Sequence, residues 1–291
     1  MTISTLPGME PETNTSTAPE FRLVLPGDAT NVAIVRQALT GALGVLGLSE
    51  TRLLDINAAV SEACNNVVVH AYPDAEGPME VYLCIGTKEL EVVVSDEGVG
   101  IRPNLPSPQV ELQGLGLSLI QTLTDRVEFL GGVGEGTKVR MAFSLDSEPS
   151  QAAASELSTA EPETSPPPGQ FTVAVSSGPL ATPVLGRVVA MLASRAGFTL
   201  EGISEAQLVT DSLAAHVPWV SIGDKIQLGI DLPGKELLLR VGPLEDGGAQ
   251  RILDSPALNN LPPVFEQLTR ERRVERYGEG ELLCLTLVNL H

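Results

Sequence analysis

The chain has 291 residues, of which 43% are hydrophobic and 19% charged, and it carries a formal net charge of −19. This length suits about two domains, each with its own core. The acidic balance leaves no basic stripe to neutralise phosphates, and 3% aromatic residues are too few for a base-stacking platform, so nucleic acid is excluded as a partner. No apolar run approaches the roughly 20 residues of a membrane span. Met1 to Glu20 has neither the basic start nor the apolar core of a secretory signal. Cys64, Cys84 and Cys284 are scattered without metal-ligand spacing, each among apolar neighbours. They read as small buried hydrophobes in a cytoplasmic protein.

Residues 1–19, rich in Thr, Ser, Pro and Glu, read as a disordered tail. A strand is expected at Phe21–Leu25, then helices at about 29–46 and 51–71 with Asp28 and Ser49 as N-caps. Alternation in MEVYLCIG and ELEVVVS predicts strands at 79–86 and 89–95. A glycine-containing loop follows, with three prolines in 102–113 that suggest a short lid, then a helix at about 114–124 and strands near 126–130 and 137–144. The sum is a two-layer α/β sandwich with helices packed on one face of a sheet.

Residues 146–169 hold five acidic residues, no basic one and a PPPG end, which reads as an extended linker. Beyond it the order of elements repeats. Strands are expected at 171–176, 224–230, 235–241, 273–277 and 281–288, with helices at about 181–197, 203–217 and 260–270. Short identities recur in matching order: KEL at 88–90 and 235–237, RVE at 126–128 and 273–275, GEG at 134–136 and 278–280. A duplication of one unit, residues 20–145 and 170–291, is the expectation.

The chemistry-bearing segments fall in the first unit. Glu62 and Asn66 are one helical turn apart and share a face, with His70 a further turn along. Ala59, Ala63 and Val67 are apolar and take the core side. Mg²⁺ prefers hard oxygen ligands and keeps waters, which suits the Asn66 carboxamide together with nucleotide phosphates. Glu62 could polarise a hydroxyl or a water beside a γ-phosphate. Asp96 ends an apolar strand, where a carboxylate can accept from an adenine amino group. Gly98 and Gly100 permit a sharp turn close to the ring. Gly114 and Gly116 are expected at the start of a helix, where free amides and the helix dipole hold phosphate. Phosphate held in this way needs no basic surface, so the acidic charge is no obstacle.

GGVGEGTK at 131–138 is not a P-loop, because Thr137 stands where the phosphate-binding lysine belongs and a strand follows. No G-x-G-x-x-G opens a helix after the first strand, and His70, His216 and His291 show no metal spacing.

Taken together, Glu-x-x-x-Asn-x-x-x-His (62, 66, 70), Asp-x-Gly-x-Gly-Ile (96–101), Gly-Leu-Gly-Leu (114–117) and Gly-Thr (136–137) resemble the four boxes of the Bergerat-fold, or GHKL, ATPases. SEACNNVVVHAY and the short lid look most like the bacterial anti-sigma-factor serine/threonine-protein kinases. The resemblance covers about residues 20–145. It implies a histidine-kinase-like ATPase fold with a mixed, mostly antiparallel sheet, and an ATP and Mg²⁺ site. Asn66 would be the metal ligand and Glu62 the catalytic base. Asp96 and Thr137 would bind adenine, Gly98 and Gly100 would form its loop, and Gly114, Leu115 and Gly116 would lie at the phosphates. His70 would pack at the helix end.

The implied partners are a sigma factor and a STAS-type antagonist protein, phosphorylated on serine. Leu115 departs from the arginine many members carry in the phosphate turn, and members are usually single domains. Because members often dimerise, the second unit is expected to act as an intramolecular pseudo-dimer partner or as a partner-docking surface. That unit lacks the site. Matching His216 to His70 puts Leu208 and Ser212 at the Glu and Asn positions, and matching SEAQ to SEAC puts Glu205 and Val209 there. Its strand ending at Val241 continues Gly-Pro-Leu-Glu-Asp, with no aspartate at the adenine position.

Overall fold

The computed structural model describes residues 18–100, 110–145, 165–255 and 264–289, with residues 110–115 described by backbone only. The tail to residue 17, the first part of the lid and the acidic part of the linker lie outside the described residues.

The N-terminal half contains β1 (Glu20–Pro26), α1 (Val32–Leu43), α2 (Glu50–Asn66), β2 (Pro78–Ile85), β3 (Glu89–Asp96), α3 (Val110–Leu123), β4 (Arg126–Leu130) and β5 (Thr137–Ser144). The C-terminal half contains β6 (Phe171–Ser176), α4 (Ala181–Arg195), α5 (Leu200–His216), β7 (Lys225–Asp231), β8 (Glu236–Leu244), α6 (Gly248–Leu253), α7 (Val264–Leu268), β9 (Glu271–Tyr277) and β10 (Gly280–Val288). The capping residues act as the sequence suggests. Asp28 accepts from the Thr30 amide at 2.6 Å, and Ser49 accepts from the Arg52 amide at 3.2 Å. The VVV run continues the expected helix to residue 71, but as a π-helical turn, Val67–Ala71. α6 is an element the sequence reading missed.

All ten strands form one sheet in the order β4-β5-β3-β2-β1-β6-β7-β8-β10-β9, and every pairing is antiparallel. Outward from the centre, both halves therefore run first, second, third, last, penultimate strand. β1 and β6 join them, with Leu23 opposite Val173. α1 and α4 pack over this seam, where a Cβ on Gly41 would lie 2.4 Å from the Pro183 carbonyl oxygen. Leu23, Val35, Leu39, Val173, Val184 and Val188 are buried in the common core between helices and sheet. Across the opposite face, residues just before β6 run over the second half's strands. Arg240 donates to the Pro168 carbonyl at 3.0 Å, and the Tyr277 hydroxyl donates to that of Pro166 at 2.8 Å.

The halves correspond at a definite offset through their first helices. α2 and α5 each have 17 residues and begin at a hydroxyl cap, Ser49 or Thr199, that accepts from the amide three residues on. Ile34, Val35, Ala38, Leu39, Ala42 and Leu43 of α1 are buried, and so are Val184, Leu185, Val188, Val189, Leu192 and Ala193 of α4, the same positions 150 residues later. This offset corrects both alignments considered from sequence. Counted from the caps, Ser212 stands at the position of Glu62 and His216 at that of Asn66. Cap chemistry and core packing set the register, and they outweigh the SEA identity.

Replacing glycine by alanine inside a helix ordinarily adds about 1 kcal/mol of stability. At Gly41 the sign is expected to reverse, because the new Cβ must displace the backbone of α4. Chemical denaturation should give Gly41→Ala about 1–3 kcal/mol less stability. A stabilised variant would show that α1 and α4 do not pack this closely.

Candidate functional site

The N-terminal half encloses a cavity of about 670 Å³ between α2, its π-helical turn, β3, β5 and α3. Asn66, His70, Asp96, Gly100 and Thr137 line it, and Val94, Leu117 and Phe129 form part of its apolar wall. A mostly apolar cleft with a few convergent polar groups is the usual form of a small-molecule site.

Local chain geometry explains how Asp96 gets there. β3 and β5 pair Asp96 directly with Thr137. The Asp96 Oδ1 accepts from the Gly98 amide at 2.8 Å and the Thr137 amide at 3.3 Å. Burial holds its carboxyl above the ordinary aspartate range, and the hydrogen bonds from Gly98 and from the amide and hydroxyl of Thr137 work in the opposite direction. An ionised carboxylate offers about four acceptor positions, so capacity remains for a donor entering the cavity.

The turn after Asp96 depends on missing side chains. A Cβ on Gly98 would lie 2.1 Å from the Ala71 carbonyl oxygen. Gly100 has φ +72°, and its Cβ would lie 1.9 Å from the Gly132 carbonyl oxygen. The Val99 amide donates to the Ala71 carbonyl at 2.9 Å, which ties the turn to the end of α2. Gly98 itself is not part of the described cavity wall; it supports the wall from behind. Tyr72, which sequence reasoning passed over, braces the same turn. Its hydroxyl accepts from the Glu97 amide at 2.9 Å and donates to the Pro78 carbonyl at 2.6 Å. Its sequence signal is its place at the end of the SEACNNVVVHAY segment.

On α2, Ala59, Ala63 and Val67 are buried as expected, and Glu62 and Asn66 are half-buried. Both approach α3: a Cβ on Gly116 would lie 3.1 Å from the Glu62 Oε2 and 3.8 Å from the Asn66 Oδ1. Gly116 therefore gives room to two acceptor oxygens. This arrangement differs from the expected one. α3 begins at Val110, so Gly114, Leu115 and Gly116 are inside the helix, not at its start. Only the first four amides of a helix lack internal partners, so those at 114–116 form no phosphate cradle in this conformation. The side chain of Leu115 lies outside the described residues. His70 also departs from expectation. It is exposed at the cavity wall and is not packed at the helix end. The π-helical turn changes its phase relative to Asn66.

No group of three or more His, Cys, Asp or Glu side chains able to hold a metal occurs among the described residues. The oxygens of Asn66 and Glu62 suit a hard cation that takes its other ligands from phosphate and water.

In the C-terminal half the corresponding place is filled by the chain itself. The Glu245 amide donates to the Val220 carbonyl at 2.9 Å, repeating the Val99–Ala71 bond. KEL-to-KEL alignment sets Pro243 at the position of Asp96, and GEG-to-GEG alignment sets Glu281 at that of Thr137. The chain then forms α6, whose Ala249 and Ile252 are buried, and the buried Glu281 accepts from the Ala249 amide at 2.7 Å. His216, at the Asn66 position, is held locally, with its Nδ1 2.7 Å from the Ser212 carbonyl.

With this geometry in view, comparison with known proteins is direct. The family profile described as "Histidine kinase-like ATPase domain" matches residues 25–143. Serine-protein kinase RsbW of Bacillus mycoides (strain KBAB4) is 30% identical over 152 residues, 48% of this chain and 94% of that protein. Serine-protein kinase RsbW of Bacillus thuringiensis (strain Al Hakam) is 29% identical over 154 residues, 49% of this chain and 95% of that protein. The chain belongs to the histidine kinase-like ATPase family that includes these RsbW proteins. Among solved structures, the histidine kinase domain from Erythrobacter litoralis EL346 blue-light activated histidine kinase aligns with 40% of this chain and 60% of its own, at 21% identity and a TM-score of 0.29. That likeness is too slight to bear on geometry. The profile match ends at residue 143, so it leaves the C-terminal half unaddressed.

The electrostatics of Asp96 give a test. A carboxyl whose folded pKa is raised stabilises the fold below its unfolded value near 3.8, and that contribution is lost as pH rises through the folded value. Asp96→Asn keeps an oxygen for the Gly98 and Thr137 amides and removes the charge. Thermal melts should therefore show the variant at least as stable as the parent at pH 7, with its relative advantage shrinking toward pH 3. A variant markedly less stable at pH 7 would contradict this account.

Proposed function

We propose that the chain is an ATP-dependent protein serine/threonine kinase that controls a bacterial partner switch. Asn66, Asp96, Gly100 and Thr137 on one cavity, with Glu62 beside Asn66 under Gly116, is the observation that carries the reading. Asp96 would accept from the adenine amino group, aided by Thr137, while Gly98 and Gly100 keep the turn close to the base. Asn66 would hold Mg²⁺, which when bound neutralises phosphate charge. Glu62 would take the proton of the attacking serine hydroxyl. The relatives are serine-protein kinases by name. By the resemblance of the boxes, the partners would be a STAS-type antagonist as substrate and a sigma factor as the protein held. No helix among the described residues is long and apolar enough to cross a membrane, which supports a cytoplasmic setting.

For the C-terminal half we propose a duplicated unit that has lost its nucleotide site and takes the place of a second subunit. The common strand order, the offset burial and the β1–β6 seam support this. Light scattering should then give a monomer of the full chain. A dimer would count against the pseudo-dimer role.

A second reading is an ATP-gated binding protein without phosphotransfer. Enclosure of residues 114–116 within α3 favours it, because transfer requires the phosphates to be held firmly. Calorimetry and a phosphorylation assay separate the two. Mg·ATP binding should be lost in Asp96→Asn, and Glu62→Ala should retain binding while its transfer to a STAS-type protein falls at least 100-fold, the usual scale for removing a general base. Binding without transfer in the parent protein would establish the gated reading, and unchanged transfer in Glu62→Ala would remove Glu62 from the mechanism.

A further inference from the structure

We propose that the solvent face of α5 and the turn that follows it is a docking surface for a basic amphipathic segment of a partner protein. The inference is independent of the nucleotide site. Leu200, Leu208 and Trp219 recur along one side of α5 and its continuation, and they are 85%, 44% and 82% exposed. They span about 28 Å at 1.5 Å per residue, the length of roughly five helical turns. Trp219 is the only tryptophan in a chain that is 3% aromatic, and it is left in water. Tryptophan has a large apolar area and is enriched where binding energy concentrates.

The N-terminal half serves as an internal control. At the same distances from the helix cap, α2 and its turn carry Glu50, Ala58 and Val69. Both helices lie on the same sheet and bury matching positions, so folding makes the same demand on each. α2 and its turn do expose Leu54 and Val69, each at 64%, so exposed aliphatics are common to both helices. What α5 adds is the Leu200, Leu208 and Trp219 set, with an aromatic where α2's turn has valine.

Charge identifies the occupant. α5 contains Glu201, Glu205 and Asp211 and no Lys or Arg. Among the described residues, the ion pairs of this half engage Asp231, Glu236, Glu245, Asp246 and Glu271 with arginines, and Lys225 with Glu20; none engages α5. Asp211 lies beside Gly186, and burial holds its carboxyl above the ordinary range, an environment that an incoming cation relieves. An apolar stripe between unneutralised carboxylates matches a helix with leucines on one face and lysines or arginines along its border.

The single tryptophan supplies the readout. The full chain is titrated with a synthetic helical peptide carrying Leu on one face and Lys on the other, and with its counterpart carrying Glu in place of Lys. A saturable blue shift of Trp219 emission is expected with the first and none with the second. Leu208→Ser and the pair Glu201→Lys with Glu205→Lys should each weaken binding at least tenfold. Glu50→Lys with Asp55→Lys, the same change of net charge on α2, should leave it within twofold. The proposal is overturned if the Lys peptide gives no shift, if both peptides act alike, or if the two charge-reversal pairs weaken binding equally. It is overturned also if anionic vesicles produce the saturable shift, or if raising the protein concentration alone does, since a membrane or a second copy would then be the occupant.

Discussion

β1 is hydrogen-bonded on both sides, to β2 in its own half and to β6 in the other. That double pairing governs the rest of the molecule. A strand with one free edge invites another chain, and here the other chain is supplied from within. Once β1 and β6 are in register, the two sheets become one, and α1 and α4 are brought together over the seam. Gly41 allows that approach, because the Pro183 carbonyl occupies the space a side chain would need. Polar groups fix the same alignment from the other face. Lys225 of β7 pairs with Glu20 of β1, and the Tyr82 hydroxyl donates to the same carboxylate. Partly buried pairs of this kind add less to stability than to specificity of register. A shift of one half by a residue would break the Lys225–Glu20 pair and the fit of Gly41 against Pro183, whereas Tyr82 lies in the same half as Glu20 and orients its carboxylate.

The seam also separates what the halves share from what they do not. Shared are the positions buried between helices and sheet, the hydroxyl caps, and the close approach at the end of the third strand. Gly136 and Gly280 illustrate the last: a Cβ on either would meet a strand carbonyl, of Asp96 at 2.0 Å or of Leu244 at 2.2 Å. The repeated GEG triplet thus reflects backbone packing and carries no information about ligand. The differences lie where packing is indifferent. The turn after β3 is open and glycine-lined, whereas the chain after β8 folds into α6 and offers its amide to Glu281. One half leaves a cavity and the other fills it with its own side chain.

The sequence revealed much of this architecture because its strongest signals are local. Every described strand lies within three residues of its expected ends, with β4, β5 and β6 matching at both, and Asp28 and Ser49 marked the helix starts. Asp96, Gly98 and Gly100 were legible for the same reason, since a carboxylate at a strand end followed by spaced glycines is a short pattern with one physical cause. What was not legible depends on distant partners. The start of α3 at Val110, ahead of the expected start at Gly114, is such a case, and Gly116 proves to face the Glu62 and Asn66 oxygens across the contact with α2. Tyr72 was missed because its partners, the Glu97 amide and the Pro78 carbonyl, are brought together only by the fold. Neither the His216–His70 match nor the SEAQ–SEAC match gives the register between α2 and α5, because that register follows the spacing from cap to core.

These misreadings bear on how the site works. Glu62, Asn66 and Gly116 form one contact between α2 and α3, so any movement of α3 changes the surroundings of both oxygens at once. Asp96 and Thr137 are instead fixed by paired strands, and the turn after them is fixed by backbone contacts to Ala71 and Gly132. On the proposed function, the base would meet the part of the cavity whose residues are held by paired strands and backbone contacts, and phosphate and metal would meet the part at a helix–helix contact. A ligand can enter the first part without disturbing the fold. On the same proposal, phosphate binding by amides at 114–116 would require the first turns of α3 to open. On that proposal, recognition would rest on strand pairing and reaction on the packing of α3 against α2. The energy to couple them has to come from contacts that a ligand makes with both.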